Sequence, residues 1–293
     1  MLVKTDLSRR YLELLKRSLL NNLYIENEAQ LVNVFLCMKD GRVPQFSEFH
    51  HFARDQPLIS KLRQNKADGS SLVISRREPD GSITHFDETR NVTELSHTMI
   101  GRARLDNLQD CMETCLSENV LGDFVETGIW RGGACILMRG VLAAYDVNDR
   151  LVWAADSFEG VPPPTYGEDI GLDLSKEVLP VLAVPQSEVE ELFRRYGLLD
   201  DSVRFLKGWF KDTLPAAPIW KIAVLRLDGD LYESTMDALN ALYDRVSVGG
   251  FVIVDDYYSC PPCGQAVDEF RSTHDIATPL KRIDAQSVYW RKE

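Results

Sequence analysis

The chain has no stretch of the roughly 18 to 20 apolar residues that a membrane-spanning helix needs. Its first residues also lack the apolar core and small-residue cleavage site of a secretory signal. Positive charge is scarce, because 33 lysine and arginine residues face 45 aspartate and glutamate residues, giving a formal net charge of −12. An acidic chain repels nucleic acid and anionic membranes. We therefore expect a cytoplasmic protein that binds neither.

Cysteine is sparse, with six residues in 293, and only Cys260-Pro-Pro-Cys263 forms a CxxC pair. A structural zinc site needs four ligands, and this pair has no second pair near it in the sequence. A thioredoxin-like redox pair belongs beside a βαβ pattern, whereas this one follows a late predicted strand and holds two prolines. We interpret the cysteines as ordinary reduced thiols.

Two regions of the chain differ in pattern. Residues 1–100 look irregular and mixed, apart from an amphipathic N-terminal helix and a hairpin over 70–88 that turns at Pro79-Asp80-Gly81. Residues 101–293 alternate strand and helix signals, which predicts a mainly parallel α/β sheet. A closing antiparallel pair is expected at 279–283 and 287–291. The other predicted strands are 123–128, 151–156, 203–206, 222–227 and 251–254, and the predicted helices are 102–118, 133–145, 187–196, 234–246 and 267–274.

The first strand of the second region runs into a glycine-rich turn, Glu126-Thr-Gly-Ile-Trp-Arg-Gly-Gly133, which opens a helix. Open α/β sheets bind ligands beyond the carboxyl ends of their strands, although such a turn can also serve packing alone. The spacing departs from G-x-G-x-x-G, and no Gly-Lys-Ser/Thr follows as in a Walker A loop. Glu126 would repel a pyrophosphate but suits the cationic amino group of a methionine moiety.

Asp156 ends the second predicted strand of this region. An acidic side chain at this position commonly accepts hydrogen bonds from the ribose hydroxyls of a nucleoside ligand. The alternative is a local turn cap, since Ser157 follows. Together with Glu126 and Gly128, the pattern favours the ribose role.

Four aspartates follow two further strands: Asp228 and Asp230 come after 222–227, and Asp255-Asp256 comes after 251–254. If these strands are neighbours, they lie roughly 5 Å apart and their carboxylates converge. Carboxylates this close raise one another's pKa unless a cation lies among them, and carboxylate oxygens suit Mg²⁺. The cluster therefore indicates a metal site, with helix capping as the alternative.

Eight stretches of the chain resemble the macrocin-type (TylF-like) sugar O-methyltransferases of antibiotic biosynthesis. The resemblance covers about residues 96–293 and, more loosely, the N-terminal helix. The shared stretches are Ser96-His-Thr-Met-Ile-Gly101, Asp123-Phe-Val-Glu-Thr-Gly-Ile-Trp-Arg-Gly-Gly-Ala134, Ala155-Asp-Ser-Phe-Glu-Gly160, Arg195-Tyr-Gly-Leu-Leu-Asp-Asp201, Lys207-Gly-Trp-Phe-Lys-Asp-Thr213, Leu227-Asp-Gly-Asp-Leu-Tyr232, Gly249-Gly-Phe-Val-Ile-Val-Asp-Asp256 and Val288-Tyr-Trp-Arg291.

The resemblance implies a Rossmann-like class I methyltransferase fold, S-adenosylmethionine as methyl donor, Mg²⁺, and a sugar hydroxyl of a glycosylated small molecule as acceptor. Asp228, Asp255 and Asp256 match the family's metal ligands, and Asp230 matches its proposed base. The positions that match the donor site are Thr98, Met99, Glu126, Thr127, Gly128, Asp156, Ser157, Trp209 and Phe210.

Residues 101–293 are thus expected to form the methyltransferase domain. Residues 1–100 form an N-terminal extension, which we expect to act as an acceptor lid or as a contact within a homo-oligomer. Within it, residues 45–95 depart from the family pattern. The sequence leaves three alternative functions: a metal-dependent O-methyltransferase of catechols, a non-catalytic binding protein on this fold, and a dehydrogenase, which the glycine pattern disfavours.

Overall fold

The structure is a computed structural model that describes residues 5–45, 47, 56–68, 72–77, 79–89, 95–165 and 167–293. The chain divides into two compact units. The larger unit combines the start of the chain, up to Glu13, with Arg104–Glu293, and the smaller one is Leu14–Ala103. No helix among the described residues is both long enough and apolar enough to cross a membrane.

Helices make up much of the smaller unit. Ile25 and Ala29 pack against Ile59 and Leu62 in a small apolar cluster. The expectation of an irregular region is therefore wrong for residues 25–39 and 56–68, whereas the predicted N-terminal helix is confirmed. The helices are α1 (Asp6–Leu19), which begins in the larger unit, α2 (Ile25–Lys39) and α3 (Gln56–Asp68).

The predicted hairpin is confirmed as two antiparallel strands, β1 (Leu72–Arg77) and β2 (Ile83–Thr89). Oδ1 of Asp80 accepts hydrogen bonds from the Ser82 amide at 2.9 Å and the Ser82 hydroxyl at 2.6 Å. A short acidic side chain that binds the backbone two residues on favours a tight turn.

The larger unit contains a seven-stranded sheet with the strand order β5-β4-β3-β6-β7-β9-β8. β5, β4, β3, β6 and β7 are parallel, and β9 pairs antiparallel with both β7 and β8. The predicted α/β class, with its closing antiparallel pair, is confirmed. The strands are β3 (Asp123–Thr127), β4 (Val152–Asp156), β5 (Val203–Lys207), β6 (Ile222–Leu227), β7 (Val246–Val254), β8 (Lys281–Arg282) and β9 (Val288–Arg291).

Helices connect these strands, and the central strands form the core of the unit. All six residues of β6 are buried, as expected for a parallel strand covered on both faces. The helices are α4 (Gly101–Ser117), α5 (Gly133–Ala144), α6 (Gln186–Arg195), α7 (Phe210–Thr213), α8 (Tyr232–Leu242) and α9 (Pro261–Thr273).

Two predicted boundaries near the end of the chain are wrong. The helix predicted to reach Val246 ends at Leu242, and β7 already begins at Val246, so the glycine pair 249–250 lies within the strand. A Cβ on Gly250 would lie 2.8 Å from the carbonyl oxygen of Ala223, so glycine allows a close approach there rather than ending a helix. The last helix begins at Pro261 instead of Val267, because proline suits the first turn of a helix.

Candidate active site

The carboxyl ends of β3, β4, β6 and β7 meet at one edge of the sheet. Just beyond the strands, the Asp228 amide donates to the Thr127 carbonyl and the Asp255 amide to the Leu227 carbonyl, each at 2.9 Å. The sheet thus brings the glycine-rich turn and the aspartate cluster together. The expected proximity of the Asp228 and Asp255 positions follows from the parallel pairing of β6 with β7.

Gly128 lies directly after β3, against the backbone of Asp228 directly after β6. Its φ is +82°, and a Cβ there would lie 1.7 Å from the carbonyl oxygen of Asp228. Backbone atoms cannot yield to such an overlap, so this position requires glycine. Gly128 of the glycine-rich turn is therefore packed directly on Asp228, the first residue of the aspartate cluster.

Arg226 is buried under this edge of the sheet, with 1% of its surface exposed. Its guanidinium forms ion pairs with three carboxylates, those of Glu126, Asp228 and Asp255. Nη1 lies 2.8 Å from Oδ2 of Asp228. A buried charge must be paired, and here one cation holds acidic groups from three strand ends.

A second guanidinium, that of Arg104 in α4, supports Asp255 from the other side. Arg104 pairs with Oδ2 of Asp255, while Arg226 pairs with Oδ1. Nε of Arg104 also lies 2.7 Å from Asp284, and Gln286 accepts a hydrogen bond from Nη2. Both oxygens of Asp255 are thus oriented by buried arginines. Two guanidinium groups face more carboxylates than they neutralise, so negative charge is left over.

Asp228, Asp255 and Asp256 each place one carboxylate oxygen within 4.8 Å of the others, a spacing that suits a shared cation. Asp256 is 7% exposed, and its buried Oδ2 has no hydrogen-bond partner in the described part of the chain. Burial, together with the charges of Asp230, Asp228 and Asp255, raises the pKa of Asp256 well above its usual range. An oxygen-rich, electron-rich cluster with an unsatisfied buried oxygen fits a hard cation such as Mg²⁺.

The two consecutive aspartates reach the same place because β7 ends at Val254. Side chains alternate faces only within a regular strand, so Asp255 and Asp256 are free of that restriction. Asp256 also accepts a hydrogen bond from the Ser259 hydroxyl at 3.0 Å.

Asp230 occupies a tight turn directly after β6. The Leu231 amide donates to the Gly229 carbonyl at 2.6 Å, and Asp230 between them has a φ of +57°. A three-residue turn with positive φ at a non-glycine residue is strained. A carboxylate oxygen of Asp230, one of Asp256 and the Cys260 sulfur also lie within 4.8 Å of one another. The turn therefore places the candidate base beside the metal-type carboxylates.

Glu126 is 2% exposed and is held from two sides. Arg226 contacts Oε1, and the thiol of Cys135 donates to Oε2 at 2.9 Å. Burial raises the pKa of Glu126 to about 7, although the Arg226 charge opposes this shift. The residue is thus a buried acid close to its protonation midpoint at neutral pH.

Asp156 orders the turns around the end of β4. Its Oδ2 accepts from the Ile129 amide at 2.8 Å, and its Oδ1 accepts from the Phe158 amide at 2.7 Å. Ser157 donates from its hydroxyl to the Gly160 carbonyl at 2.7 Å. The turn-cap function of Asp156 is therefore present in the structure. Each carboxylate oxygen keeps lone pairs, so this capping is compatible with the ribose contact predicted from the sequence.

The other predicted donor residues of the larger unit lie near the same edge. The Gly208 amide donates to the Asp156 carbonyl at 2.9 Å, which brings the following Trp209 to the end of β4. A Cβ on Gly229 would lie 3.3 Å from the ring of Phe210, so this ring packs beside the Asp230 turn. The buried hydroxyl of Thr127 has no hydrogen-bond partner among the described residues.

Thr98 and Met99 belong to the smaller unit, where Thr98 is buried and Met99 is partly exposed. The segment leading to them is anchored there by Ser96, whose hydroxyl donates to the Leu20 carbonyl at 3.2 Å. Lys66 donates to the same hydroxyl at 2.5 Å and pairs with Glu28 at 2.9 Å.

Sequence reasoning missed the two arginines that organise the site. Arg226 is the one charged residue in the apolar strand Ile-Ala-Val-Leu-Arg-Leu, two positions before Asp228. A charge inside a buried strand signals a buried ion pair and was a usable signal. Arg104 gave no such signal, because its partners lie 151 and 180 residues away. All six cysteines, including the CxxC pair, are buried and form no disulfide.

A parallel sheet of this strand order, with a glycine turn after its central strand and acidic groups at the neighbouring strand ends, defines a class I methyltransferase. The family comparison narrows this class: the model of the macrocin O-methyltransferase family (TylF) matches residues 8–292. The chain belongs to this family and is an O-methyltransferase.

Three relatives illustrate the similarity. Demethyldecarbamoylnovobiocin O-methyltransferase of Streptomyces niveus is 58% identical over 70% of this chain and 79% of its own. The 8-demethyl-8-(2,3-dimethoxy-alpha-L-rhamnosyl)-tetracenomycin-C 4'-O-methyltransferase of Streptomyces olivaceus is 52% identical over 81% of this chain and 86% of its own. The structure of the O-methyltransferase NovP aligns with a TM-score of 0.76 at 45% identity, covering 97% of this chain and 99% of that one.

Proposed function

We propose that this enzyme transfers the methyl group of S-adenosylmethionine to a sugar hydroxyl of a glycosylated natural product, with Mg²⁺ bound by Asp228, Asp255 and Asp256. The observation that carries the proposal is the convergence of these carboxylates beside the donor-type turn at Gly128. The acceptor class is inferred from the relatives, one of which is named for an acceptor with a rhamnosyl sugar.

The donor half of the site follows from the ends of β3 and β4. S-adenosylmethionine is a cation, and Glu126 and Asp156 supply the acidic groups that face its amino group and ribose in our proposal. Trp209 and Phe210 supply aromatic surface, and Thr98 and Met99 are the further donor-binding positions that the family resemblance implies. Gly128 allows the backbone turn between the two halves.

The metal half supplies charge. Asp228, Asp255 and Asp256 would hold a divalent cation, which when bound would lower the pKa of an acceptor hydroxyl beside it. Arg226 and Arg104 hold Asp255 in place, so the ligand set is oriented before any ion arrives. Preorganised charge of this kind requires little rearrangement during the reaction.

Asp230 then accepts the hydroxyl proton. The acceptor oxygen forms a bond to the methyl carbon while the carbon–sulfur bond breaks, and its electron pair stays on sulfur. The products are the methyl ether and S-adenosylhomocysteine. Since the sulfonium already activates the methyl group, the main task of the protein is to align oxygen, carbon and sulfur.

The N-terminal extension, residues 1–100, is proposed to form an acceptor lid or a contact between copies in a homo-oligomer. Loops and appended segments on a rigid scaffold often carry specificity. Its hairpin is a defined element with an ordered turn at Asp80, so it can be removed or altered as a unit.

A methyl-transfer assay tests the proposal. The enzyme is incubated with S-adenosylmethionine and a panel of glycosylated natural products, with chelator and with added Mg²⁺, and products are identified by mass spectrometry. We expect a gain of one methyl group on the sugar, only with Mg²⁺. Aglycones and simple catechols serve as comparison acceptors. Methylation of the catechols alone would contradict the sugar assignment, and full activity in chelator would contradict the metal.

A further inference from the structure

The turn that carries Asp230 is strained, and helix α8 begins directly after it at Tyr232. The residue before the helix, Leu231, offers no side-chain hydrogen bond to the first helical amides. Strained turns persist only where the surrounding structure fixes them. The start of α8 therefore needs a partner from another part of the chain.

That partner is Asp169, in the long connection between β4 and α6. Its Oδ1 accepts from the Tyr232 amide at 2.6 Å and its Oδ2 from the Glu233 amide at 3.1 Å. Tyr232 and Glu233 lie 63 and 64 positions after Asp169 in the sequence. The Asp169 side chain is fully buried, with 0% of its surface exposed. One carboxylate thus caps the helix with both of its oxygens.

A second contact joins the β4–α6 connection to the first turn of α8. The Thr165 hydroxyl donates to the carboxylate of Glu233 at 3.0 Å. On its other side, the Asp230 turn is fixed by the bond from the Asp228 amide to the Thr127 carbonyl. The segment Asp228–Tyr232 is therefore clamped between the end of β3 and Asp169.

We propose that Asp169 is a positioning residue for the methyl-transfer reaction: it caps α8 from the β4–α6 connection and thereby holds the Asp230 turn in its strained, reactive geometry. The inference rests on the proposed function, because Asp230 is the proposed base. Asp169 itself touches neither metal ligand nor reacting group. Its effect should therefore appear in kcat, while the affinities for donor and Mg²⁺ remain unchanged.

The test compares Asp169→Ala, Asp169→Asn and the control Asp173→Ala. Asp173 lies in the same connection and is exposed; among the described residues its side chain accepts only from nearby Ser175, at 2.9 Å. We expect Asp169→Ala to lower kcat by about 10- to 100-fold, the scale of a small misplacement of a reacting group. Asparagine keeps one acceptor oxygen, so the kcat of Asp169→Asn should fall between those of Asp169→Ala and Asp173→Ala. Wild-type kcat in Asp169→Ala would overturn the proposal.

A double-mutant cycle separates positioning from general loss of structure. If Asp169 acts through Asp230, adding Asp169→Ala to Asp230→Asn should lower kcat little further, because coupled residues are not additive. Full additivity, or an equal loss of donor affinity and kcat in the single variant, would overturn the proposal.

Hydrogen exchange gives a readout that does not depend on activity. In Asp169→Ala, peptides covering residues 228–233 should exchange faster, while peptides covering β3 and β5 stay as in the wild type. Asp169→Asn provides the same measurement if the alanine variant does not fold. Unchanged exchange at 228–233 would refute the clamp. An inactive wild-type enzyme with the expected exchange pattern would instead refute the proposed function.

Discussion

Nη1 of Arg226 lies 2.8 Å from Oδ2 of Asp228, two residues further along the chain. Residues two apart in a strand share a face, so the pairing continues the geometry of β6. The same guanidinium reaches Glu126 within the neighbouring β3 and Asp255 just after β7. One buried cation therefore joins the strand that leads into the glycine-rich turn to the aspartate cluster.

Replacing this cation by an apolar side chain should destabilise the fold strongly. Arg226→Met leaves three acidic groups without their shared partner, and breaking a buried ion pair typically costs about 3–5 kcal/mol. Urea unfolding at pH 7 measures the free energy of unfolding. Arg194→Met is the control, since the Arg194 side chain is 53% exposed in its pair with Glu190, and such helix pairs contribute about 0.5 kcal/mol or less. An equal loss of unfolding free energy in both variants would contradict the idea that burial makes the Arg226 ion pairs strong.

Donor affinity should depend on pH through Glu126. Its pKa is raised from 4.5 to about 7. Since the folded protein then holds the proton more tightly than the unfolded chain, the stability contributed by this group is lost as pH rises from about 4.5 towards 7. The affinity for the cationic donor should instead rise with pH, because the donor binds better to ionised Glu126. Calorimetry should show donor affinity rising with pH below 7, by at most about tenfold per unit.

Glu126→Gln is the matched variant for this pH series, because its amide keeps the shape of the side chain but does not titrate. Its donor affinity should be lower at pH 7 and flat between about pH 5.5 and 7. A slope that persists in the glutamine variant would assign the titration to another group.

Asp156→Ala should weaken donor binding by about 1.5–3 kcal/mol, the scale of a hydrogen bond to a charged group. Because Asp156 also holds the Ile129 and Phe158 amides, the ribose contact needs its own test. A deoxyribose analogue of S-adenosylhomocysteine should bind more weakly than the parent compound to the wild type, but equally well to the variant. Equal discrimination by both proteins would leave Asp156 with the turn-cap function alone.

The aspartates after β6 should separate into two functions. Asp228→Asn should weaken Mg²⁺ binding and lower turnover together. Asp230→Asn should bind Mg²⁺ normally and lose rate by on the order of 100-fold or more if it is the proton acceptor. Calorimetric titration with Mg²⁺ and initial rates measure the two effects. Normal turnover in Asp230→Asn would assign the proton to another group.

Removing the hairpin, residues Ser70–Glu88, should spare donor affinity in a variant that still folds. Our proposal assigns this region to the acceptor or to a contact between copies, so acceptor KM or the molar mass in solution should change. Asp80→Ala, which removes both bonds to Ser82, is the milder version of the change. A hairpin variant that loses donor affinity but keeps acceptor turnover would contradict this assignment of the hairpin.

The sequence predicted the parallel sheet well because buried strands carry continuous apolar runs and end at glycine or aspartate. It predicted α2 poorly, although Ile25, Ala29 and Val32 repeat at helical spacing. The residue before the helix, Tyr24, provides no side-chain cap, so the usual start signal is absent. The Gly249-Gly250 pair misled in the opposite direction, because glycine both ends helices and permits close strand packing.

Within the site, the strand-end acids were predictable because parallel strands bring their carboxyl ends to one edge. The ion pairs that those acids form with Arg104 and Arg226 were not predictable, since most of them join residues distant in sequence. Asp169 shows the same limit: nothing near it in sequence indicates that it caps a helix 63 positions later. Which residues face one another is decided by tertiary packing rather than by local pattern.

Gly128 has a consequence for any attempt to redesign the enzyme. A side chain there would collide with the Asp228 carbonyl and push β3 and β6 apart at their ends. The glycine-rich turn and the aspartate cluster would then both be displaced, so neither can be changed independently by substituting this position. Libraries aimed at new acceptors should therefore hold position 128 constant and diversify the connections that surround the sheet edge.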